Sequence, residues 1–477
     1  MKPYDHQQEA LDKSRGIPNF AYLMEMGTGK TGTDIWDTEW WWANGDGSID
    51  GWIIVAPKGV YNNWPDNELP KFANFHHRTV VYAAGAGVKL SRSLDDICAG
   101  PVDRRVLDVL VVNIESLANP KCVKRWTAFC KTHKGVKVTI DESTKIKSHS
   151  AKRTKAAWKL SKLARVRRIL TGFPYPQAPL DAFAQFYFLD SEILKYENWY
   201  AFRSHYAVLK TMDVGPKSFQ QVVGFRNLDE LQERVESASY RALKVDCLDL
   251  PPKMYTRVDV TLTEEQERVY QEVKDYGYAD LMAKGESVTV QHVLTQILRL
   301  HQVVCGHVAA DDGLGIRRLP NNRIKATLEC TEEMSGKGLI WSNFIPMIED
   351  LIEAFVERYG PQAVVSYYGA TSMKARQLAV QRFQEDPKCR WFIGNPATGG
   401  MGITLTAASN EIYASNSFNL EHRIQSEDRA HRIGQNNPVN IIDISCPGTV
   451  DERIITALVS KKMTATEALG ENWQAWI

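Results

Sequence analysis

The chain has 477 residues, of which 44% are hydrophobic and 24% are charged, and this length allows about two or three domains with separate cores. Its formal net charge of +1 at pH 7 does not by itself indicate a nucleic-acid-binding protein. No apolar run has the length of a membrane span and the N-terminus lacks the apolar segment of a secretory signal, so we expect a cytoplasmic protein without membrane contact.

The eight cysteines are scattered along the chain and include no C-x-x-C pair. Neither a disulfide framework nor a structural zinc site is therefore indicated, and a reducing compartment is expected. Cys305-Gly306-His307 comes closest to a ligand cluster. We do not interpret it as a metal site.

The first predicted elements surround a glycine-containing segment. Residues 4–11 predict the start of a helix, residues 20–23 a short buried strand and residues 33–42 a second helix. In the first helix, the amide of Gln7 offers both a donor and an acceptor, as recognition of an adenine edge requires.

Between that strand and the second helix lies Met24-Glu25-Met26-Gly27-Thr28-Gly29-Lys30-Thr31. A glycine-rich turn before a helix brings backbone N–H groups to phosphate oxygens at the positive end of the helix. Lys30 is then expected to reach the β- and γ-phosphates, and the Thr31 hydroxyl to bind Mg²⁺. The strict pattern has Gly where Met24 stands, so a surface turn that merely contains glycine is the alternative interpretation.

Three further buried strands are predicted at residues 51–58, 106–114 and 136–140. The third ends in Asp141 and Glu142. In a nucleotide hydrolase, the first acid of such a pair holds Mg²⁺ and the second orients or deprotonates the attacking water. The alternative is a strand that simply ends in acids at a turn. Strands that alternate with helices predict a parallel, doubly wound sheet with its chemistry at the carboxyl ends of the strands.

A basic segment follows the two acids. From Lys145 to Arg168 there are ten Lys or Arg residues and no acidic residue. Such a run usually forms the solvated face of a helix, and contact with phosphates is the other interpretation. Residues 168–174 then predict a strand that leads into the tight turn Thr171-Gly172-Phe173-Pro174.

The second half of the chain repeats the alternating pattern. Strands are predicted at residues 337–344, 363–368, 391–395, 411–414 and 440–444, and an amphipathic helix at 345–355. Because this half has no phosphate-loop lysine motif of its own, we interpret it as a partner that closes over the first site.

Residues 425–435 are the part of the second half that we expect to complete the site. Arg429 and Arg432 are three apart on a predicted helix, so their side chains should point the same way. Two guanidinium groups on one face suit a γ-phosphate. The alternative is a surface helix with Arg–Glu pairs.

Together these stretches resemble helicase superfamily two and, within it, the Swi/Snf-type ATP-dependent double-stranded-DNA translocases. The stretches that carry the resemblance are Glu25-Met26-Gly27-Thr28-Gly29-Lys30-Thr31, Asp141-Glu142-Ser143-Thr144-Lys145-Ile146-Lys147, Thr171-Gly172-Phe173-Pro174, Gly399-Gly400-Met401-Gly402-Ile403-Thr404-Leu405 and Asp428-Arg429-Ala430-His431-Arg432-Ile433-Gly434-Gln435. The resemblance spans nearly the whole chain and is closest to minimal bacterial or bacteriophage members.

The resemblance implies ATP and Mg²⁺ as cofactors and assigns a role to each matching residue. The implied catalytic residues are Lys30, Asp141, Glu142, Arg429 and Arg432. The implied nucleotide-binding residues are Gln7, Gly27, Thr28, Gly29, Lys30, Thr31, Gly402 and Gln425, with Thr31 and Asp141 on the metal. The implied DNA-backbone contacts are Lys58, Ser116, Lys147 and Thr404.

Three residues depart from the family pattern. Thr144 stands where the family usually has His, Phe173 where it has Thr or Ala, and Gln177 where it has Asn. None of these changes removes a charged catalytic group. The Thr144 substitution leaves open how the acidic motif communicates with the second lobe.

The resemblance implies two RecA-like α/β lobes in tandem. We expect lobe 1 at residues 1–190, a helical insertion that guides the duplex at 191–255, lobe 2 at 256–448 and a C-terminal brace helix at 449–477. The implied activity is that of a monomeric ATP-dependent translocase on double-stranded DNA in a bacterial or infected-cell cytoplasm, with room for an unknown protein partner. A strand-separating helicase, an RNA-directed remodeler and an ATP-gated clamp or scaffold without motor activity are the alternatives.

Overall fold

The computed structural model describes residues 2–44, 49–83, 85, 87–103, 105–214, 217–284, 290–309, 315–399 and 402–469. The chain divides into two compact units. Unit 1 comprises the residues up to Val208, then Gly224–Asp249 and a short stretch from Thr464. Unit 2 comprises Leu209–Val223 and Leu250–Met463.

Nine strands lie among the described residues of the first half of the chain. They are β1 (Asn19–Met24), β2 (Gly51–Ala56), β3 (His77–Tyr82), β4 (Leu107–Asn113), β5 (Val136–Asp141), β6 (Val166–Leu170), β7 (Ala207–Val214), β8 (Lys217–Phe225) and β9 (Ser239–Ala242). Seven of them form one parallel sheet in the order β3-β4-β2-β5-β6-β1-β9, whereas β7 and β8 pair only with each other. Every residue of β2 and of β5 is buried, as in a parallel sheet covered on both faces.

The part of this half that the structure describes also contains eleven helices. They are α1 (Asp5–Ser14), α2 (Lys30–Ala43), α3 (Leu69–Phe72), α4 (Val88–Cys98), α5 (Pro120–Thr132), α6 (Lys152–Ser161), α7 (Ala182–Leu189), α8 (Ser191–Leu194), α9 (Trp199–Tyr206), α10 (Leu228–Glu236) and α11 (Lys244–Cys247). Short 3₁₀ turns follow β4 at Ile114–Ala118 and β5 at Ser143–Ile146.

The second half forms another parallel sheet. Its strands are β10 (Lys253–Asp259), β11 (His307–Ala309), β12 (Ile316–Arg318), β13 (Lys337–Trp341), β14 (Val364–Tyr367), β15 (Trp391–Gly394), β16 (Ala408–Tyr413) and β17 (Val439–Ser445). The sheet order is β10-β17-β16-β13-β15-β14, and β11 and β12 form a separate antiparallel pair.

The helices of the second half are α12 (Glu264–Lys284), α13 (Val290–Val304), α14 (Asn322–Glu332), α15 (Ile345–Tyr359), α16 (Met373–Glu385), α17 (Pro396–Gly399), α18 (Leu420–Ala430) and α19 (Val450–Ala468). The predicted fold class, two α/β lobes with parallel sheets, is therefore confirmed. None of the described helices combines the length and apolar composition that a membrane crossing needs.

The segment predicted as a helical insertion, residues 191–255, is not purely helical. It contains the ribbon of β7 and β8, and β9 pairs with β1 at the edge of the sheet of unit 1. The described part of the predicted C-terminal segment forms α19, and residues 470–477 lie outside the described residues. The predicted domain boundaries and the bracing role of α19 stay predictions.

A buried charge cluster fastens α2 to the sheet of unit 1. Its members are Asp34 and Asp37 on α2, Lys137 on β5 and Arg168 on β6, and none of their side chains is exposed. Lys137 Nζ lies 2.8 Å from Asp34 Oδ1 and 2.7 Å from Asp37 Oδ2. Arg168 donates through Nε to Asp37 Oδ2 at 3.0 Å and through a terminal nitrogen to Oδ1 at 3.1 Å. The cluster fixes α2 relative to β5 and β6.

The two acids of this cluster differ in their protonation energetics. Burial raises the pKa of Asp34, even though Lys137 lowers it. Burial also opposes ionisation of Asp37, but Arg168 and Lys137 together bring the pKa of that carboxyl below its ordinary value. The prediction for the basic run is therefore wrong for Arg168, because its guanidinium is paired with Asp37 and is not on the surface.

Asp37→Ala is expected to destabilise unit 1 by about 3–5 kcal/mol, because it leaves Lys137 and Arg168 buried with too little negative charge. The measurement is the midpoint of urea unfolding. Asp103→Ala is the control, since Asp103 pairs with Arg105, whose side chain is 89% exposed. That change should cost at most about 1 kcal/mol. Equal losses in the two variants would contradict the prediction.

Candidate functional site

The loop between β1 and α2 has the backbone geometry of a phosphate-binding turn. Gly27 and Gly29 adopt φ of +87° and +88°, a left-handed conformation that glycine enters without a steric cost. Both the amide and the hydroxyl of Thr28 donate to the carbonyl of Glu25, which closes the turn. Gly29 precedes the first residue of α2, Lys30, so the N-terminal amides of α2 face the loop.

Helix α1 supports this loop from one side. Gln7 Nε2 donates to the carbonyls of Thr28, at 3.2 Å, and Gly29, at 3.4 Å, while its Oε1 accepts from the amide of Tyr4. His6 Nε2 lies 2.8 Å from the same Thr28 carbonyl. A Cβ at Gly29 would lie 1.9 Å from Gln7 Nε2, so only glycine fits there. Gln7 thus positions the loop, and its role with adenine stays a prediction.

The two predicted acids end β5 beside the loop. Lys30 Nζ lies 3.7 Å from Glu142 Oε1, and both side chains are largely buried. Trp64 Nε1 donates to Asp141 Oδ2 at 3.1 Å. Burial and the neighbouring Glu142 raise the pKa of Asp141 to about 7, while Lys30 opposes that rise. Glu142 has φ of +52°, rare for a residue other than glycine and most common where function or turns require it.

A side chain that we did not predict ties the acidic motif to the Thr171–Pro174 turn. Ser143 Oγ donates to Gln185 Oε1 at 2.7 Å, and Gln185 Nε2 donates to the carbonyls of Pro174 at 2.7 Å and Asp181 at 2.9 Å. Ser143 and Gln185 are fully buried. The available signal was a single polar residue in the otherwise apolar helix α7.

The same turn packs directly on the phosphate loop. A Cβ at Gly172 would lie 3.1 Å from the amide nitrogen of Met26 and 3.2 Å from Glu25 Cα. Arg241 donates to the carbonyls of Leu23 at 2.8 Å and Gly172 at 2.9 Å. The guanidinium of Arg241 thus holds these two segments together, and the expectation that the inserted segment guides the duplex stays a prediction.

Unit 2 brings its own predicted residues together. Arg429 donates from Nη1 to the Ile403 carbonyl at 3.1 Å, and Arg432 approaches the same oxygen at 3.4 Å. Ile403 lies between Gly402 and Thr404 of the predicted motif. Gln425, one turn before Arg429, accepts from Arg429 Nε through its carbonyl. Gly400 and Met401 of that motif lie outside the described residues.

The prediction that Arg429 and Arg432 share one helix is wrong. Helix α18 ends at Ala430, and Arg432 lies in the turn that follows it. The helix stops there because Gln435 Nε2 donates to the carbonyl of Ala430 and Gly434 turns the chain with φ of +98°. The two guanidinium groups still converge, through the shared carbonyl.

A buried network anchors α18 to the sheet of unit 2. Glu427 on α18 accepts from Lys253 Nζ and from the Tyr255 hydroxyl, each at 2.9 Å, and from Arg423 Nε at 2.7 Å. Despite its burial, these cations hold the pKa of Glu427 well below its ordinary value. Glu411 on β16 forms no ion pair with a cation of the described residues; it accepts from Trp341 Nε1 at 3.0 Å. Burial, reinforced by Glu427, raises the pKa of Glu411 to about 8.

The predicted DNA contacts of unit 1 lie beyond the carboxyl ends of three neighbouring strands. Lys58 follows β2, Ser116 follows β4 and Lys147 follows β5, and these three strands are neighbours. Lys58 is exposed, while Ser116 and Lys147 are half-buried. Thr404 is half-buried in unit 2. Contact with DNA stays a prediction for all four.

Comparison with known proteins gives the family. The family model of the SNF2-related domain matches residues 21–308, and that of the helicase conserved C-terminal domain matches residues 321–434. The chain belongs to the SNF2-related family. This is a family of helicase-like ATPases, and the boundary between the two matches falls within the second half of the chain.

Several SNF2-related relatives are larger proteins. The chain is 26% identical over 84% of its length to TATA-binding protein-associated factor MOT1 of Saccharomyces cerevisiae, of which it covers 23%. It is 28% identical over 69% of its length to DNA annealing helicase and endonuclease ZRANB3 of Mus musculus, covering 29% of that protein. An uncharacterized ATP-dependent helicase of Mycoplasma pneumoniae matches 98% of this chain at 26% identity, and 42% of its own length is covered. The chain thus spans less than half of each of these relatives.

Among solved structures, a SWI2/SNF2 ATPase core of Sulfolobus solfataricus, determined in complex with double-stranded DNA, covers the whole chain. Its sequence identity is 22% and its TM-score is 0.42, with 97% of that core covered.

The residues of unit 1 fit a magnesium nucleotide. The backbone amides of the left-handed glycines, the amides at the start of α2 and the ammonium group of Lys30 are donors suited to phosphate oxygens. Mg²⁺ is usually held by one or two carboxylates, by phosphates and by water, so it does not need a cage of protein ligands. A single carboxylate such as that of Asp141 is compatible with this chemistry, and its role as a metal ligand stays a prediction; the described residues contain no cluster of three or more His, Cys, Asp or Glu side chains suited to a metal.

Gly172→Ala is expected to weaken nucleotide binding about tenfold, because an added Cβ that displaces packed backbone costs about 1–3 kcal/mol. The shift would fall on Glu25 and Met26, at the start of the phosphate loop. Binding of a fluorescent ATP analogue, followed by anisotropy, measures the effect. Gly87→Ala is the control, because a Cβ there would meet nothing within 4 Å. Equal dissociation constants for the two variants would count against this packing.

Glu411→Gln is expected to flatten the pH dependence of the stability of unit 2. Because the folded pKa of Glu411 is about 8 and the ordinary value is 4.5, the folded state keeps a proton that the unfolded chain loses in this range. The contribution of Glu411 to the free energy of unfolding is complete below about pH 4.5. It falls by about 1.4 kcal/mol per pH unit as the pH rises to about 8. Urea midpoints measured between about pH 5 and about pH 8 test this. Glu353→Gln, at an exposed site on α15, should keep the wild-type slope; parallel curves for wild type and Glu411→Gln would refute the assignment.

Proposed function

We propose that the chain is an ATP-dependent motor that moves along double-stranded DNA. The observation that carries the proposal is the placement of Lys30, at the start of α2, against Glu142 at the end of β5. This arrangement, in a chain of the SNF2-related family, is suited to hydrolysis of a nucleoside triphosphate.

In the proposed mechanism, the amides of Gly27, Thr28 and Gly29 and the ammonium of Lys30 hold the β- and γ-phosphates. Thr31 and Asp141 would hold Mg²⁺, which would supply positive charge to offset that of the phosphates. Glu142 orients the attacking water and takes its proton. Its left-handed backbone and the hydrogen bond of Ser143 to Gln185 keep the carboxylate pre-positioned.

The arginines of unit 2 provide the second half of the mechanism. When unit 2 closes on bound nucleotide, Arg429 and Arg432 reach the γ-phosphate and stabilise the charge that spreads over it. Because both side chains already converge on the Ile403 carbonyl, they can move with the Gly402–Thr404 segment as one group. Closure and reopening then shift unit 2 along the DNA backbone.

Duplex DNA is the proposed track because backbone contacts need no sequence reading. Lys58, Ser116 and Lys147 follow adjacent strands and can line such a path, with Thr404 contributing from unit 2. The names of two relatives support the choice of DNA as the track and of ATP as the nucleotide. ZRANB3 is called a DNA annealing helicase and endonuclease, and the Mycoplasma pneumoniae protein is called an ATP-dependent helicase. We further propose that the motor is a monomer that works in the cytoplasm.

The test is steady-state ATP hydrolysis without nucleic acid and with linear duplex DNA, single-stranded DNA or duplex RNA. Duplex DNA should stimulate hydrolysis most. Glu142→Gln should lower kcat by about 10²–10⁴-fold, the usual loss of a general base. It should leave binding of an ATP analogue intact, because the phosphate loop is unchanged.

Glu192→Gln is the matched control, since Glu192 is an exposed carboxylate on α8. It should hydrolyse ATP like the wild type. Equal hydrolysis with and without every nucleic acid would refute the DNA motor and favour an ATP-gated clamp. Strongest stimulation by RNA would favour an RNA-directed remodeler. Displacement of a labelled strand from a forked duplex would identify a strand-separating helicase.

A further inference from the structure

Positive charge is concentrated in one part of the chain. Residues 116–180 contain sixteen Lys or Arg and two acids, Asp141 and Glu142, so this segment carries a net charge of +14 in a chain whose net charge is +1. Both acids belong to the candidate nucleotide site. The rest of the segment has no carboxylate to offset its cations.

The structure removes some of these cations from the surface. Lys137 and Arg168 are buried with Asp34 and Asp37. Arg125 pairs with Asp95, and Arg167 and Arg153 donate to backbone carbonyls. Nine cations stay exposed and form no ion pair with a described carboxylate: Lys121, Lys124, Lys131, Lys134, Lys152, Lys155, Lys159, Lys162 and Arg165. We call these nine residues the lysine face.

Helical periodicity places most of these cations on one surface. Helix α5 buries Cys122, Trp126 and Phe129, and its exposed lysines lie on the opposite side. Helix α6 buries Thr154, Ala157 and Leu160 and likewise presents its three lysines outward, and the exposed Lys162 follows its last residue. The two helices pack against each other, so their outer sides form one continuous surface.

The lysine face adjoins the predicted DNA path of unit 1. Both helices pack against the 3₁₀ turn that contains Ser116. Thr154 on α6 donates to the carbonyl of Ile146, next to Lys147. The ten residues of α6 span about 15 Å at about 1.5 Å per residue, so its lysines extend from this end of the helix away from the path.

The composition of the face favours a phosphate backbone over a protein surface. Eight of its nine cations are lysines, and Leu163 is the only large exposed apolar residue among the described residues of 116–180. Protein interfaces are depleted in Lys and enriched in aromatic side chains and Arg. Lysine ammonium groups without apolar neighbours match sequence-independent contact with phosphates.

We propose that the lysine face binds the phosphate backbone of duplex DNA and extends the contact beyond the path defined by Lys58, Ser116 and Lys147. This proposal rests on the proposed function, because it concerns the same DNA. It adds a binding surface on the outer side of α5 and α6, away from the nucleotide and its catalytic residues.

The test compares two quadruple variants of the full chain. The first is Lys124→Gln, Lys155→Gln, Lys159→Gln and Lys162→Gln. The second, a control with the same change of charge at exposed lysines elsewhere, is Lys13→Gln, Lys89→Gln, Lys374→Gln and Lys388→Gln. The dissociation constant for a labelled linear duplex is measured over a series of salt concentrations, with urea midpoints to check folding.

The first variant should bind the duplex at least about tenfold more weakly at low salt, and the slope of log K against log salt should fall by about 3–4, near 0.9 for each lost phosphate contact. The control variant should bind like the wild type. Replacing the same four lysines by Arg should restore the wild-type slope, because charge rather than shape carries the contact.

Two outcomes would overturn the lysine face: equal slopes for the two quadruple variants, or tighter binding of poly-glutamate than of duplex DNA by the wild type, which would indicate an acidic protein partner. Failure of the proposed function looks different. In that case, duplex DNA would not stimulate ATP hydrolysis by the wild-type chain at all.

Discussion

The geometry of the nucleotide site depends on the buried charge cluster beneath α2. Lys30 begins α2, and Asp34 and Asp37 follow on the same helix; Lys137 lies four residues before Asp141 on β5. Lys137 therefore joins α2, which presents the predicted phosphate-binding residue Lys30, to β5, which presents the two acids. Buried charges are tolerated only when their partners are well placed, so the cluster penalises any slip of α2 along the sheet. The 3.7 Å approach of Lys30 to Glu142 follows from this attachment.

A second set of contacts connects that site to the rest of unit 1. Gly172 lets the Thr171–Pro174 turn lie on the predicted phosphate loop. Arg241, on strand β9, joins this turn to the end of β1. Gln185 adds a third connection, because it joins Ser143 to Pro174 at the end of the same turn. A shift of the acidic motif is thus transmitted to the turn through a buried amide.

The local elements could be predicted from the sequence because their signals are local. Apolar runs of strand length, helical periodicity and the glycine pattern before Lys30 predicted the strands, α2 and the turn, and each of these lies where expected. Arg168 and Arg241 could not be placed in this way. Their partners, Asp37 and the Leu23 carbonyl, are 131 and 218 residues away, and strand order alone brings them together. The misplaced Arg432 has a similar origin, since Gln435 ends α18 with help from carbonyls of the 406–408 segment.

The distribution of charge along the chain explains why the net charge of +1 did not indicate a nucleic-acid-binding protein. A chain near neutrality can carry a segment of +14 when its acids lie elsewhere, and only the structure separates buried cations from exposed ones. The separation also matches what a motor needs. Arg429 is buried and held by carbonyls, which suits the proposed contact with a single phosphate in one geometry. Exposed lysines instead provide many weak, salt-screened contacts, and a protein can remain bound through such contacts while it moves along a uniform backbone. In the proposed function, precise positioning at the nucleotide and loose attachment to the DNA are therefore carried by different cations.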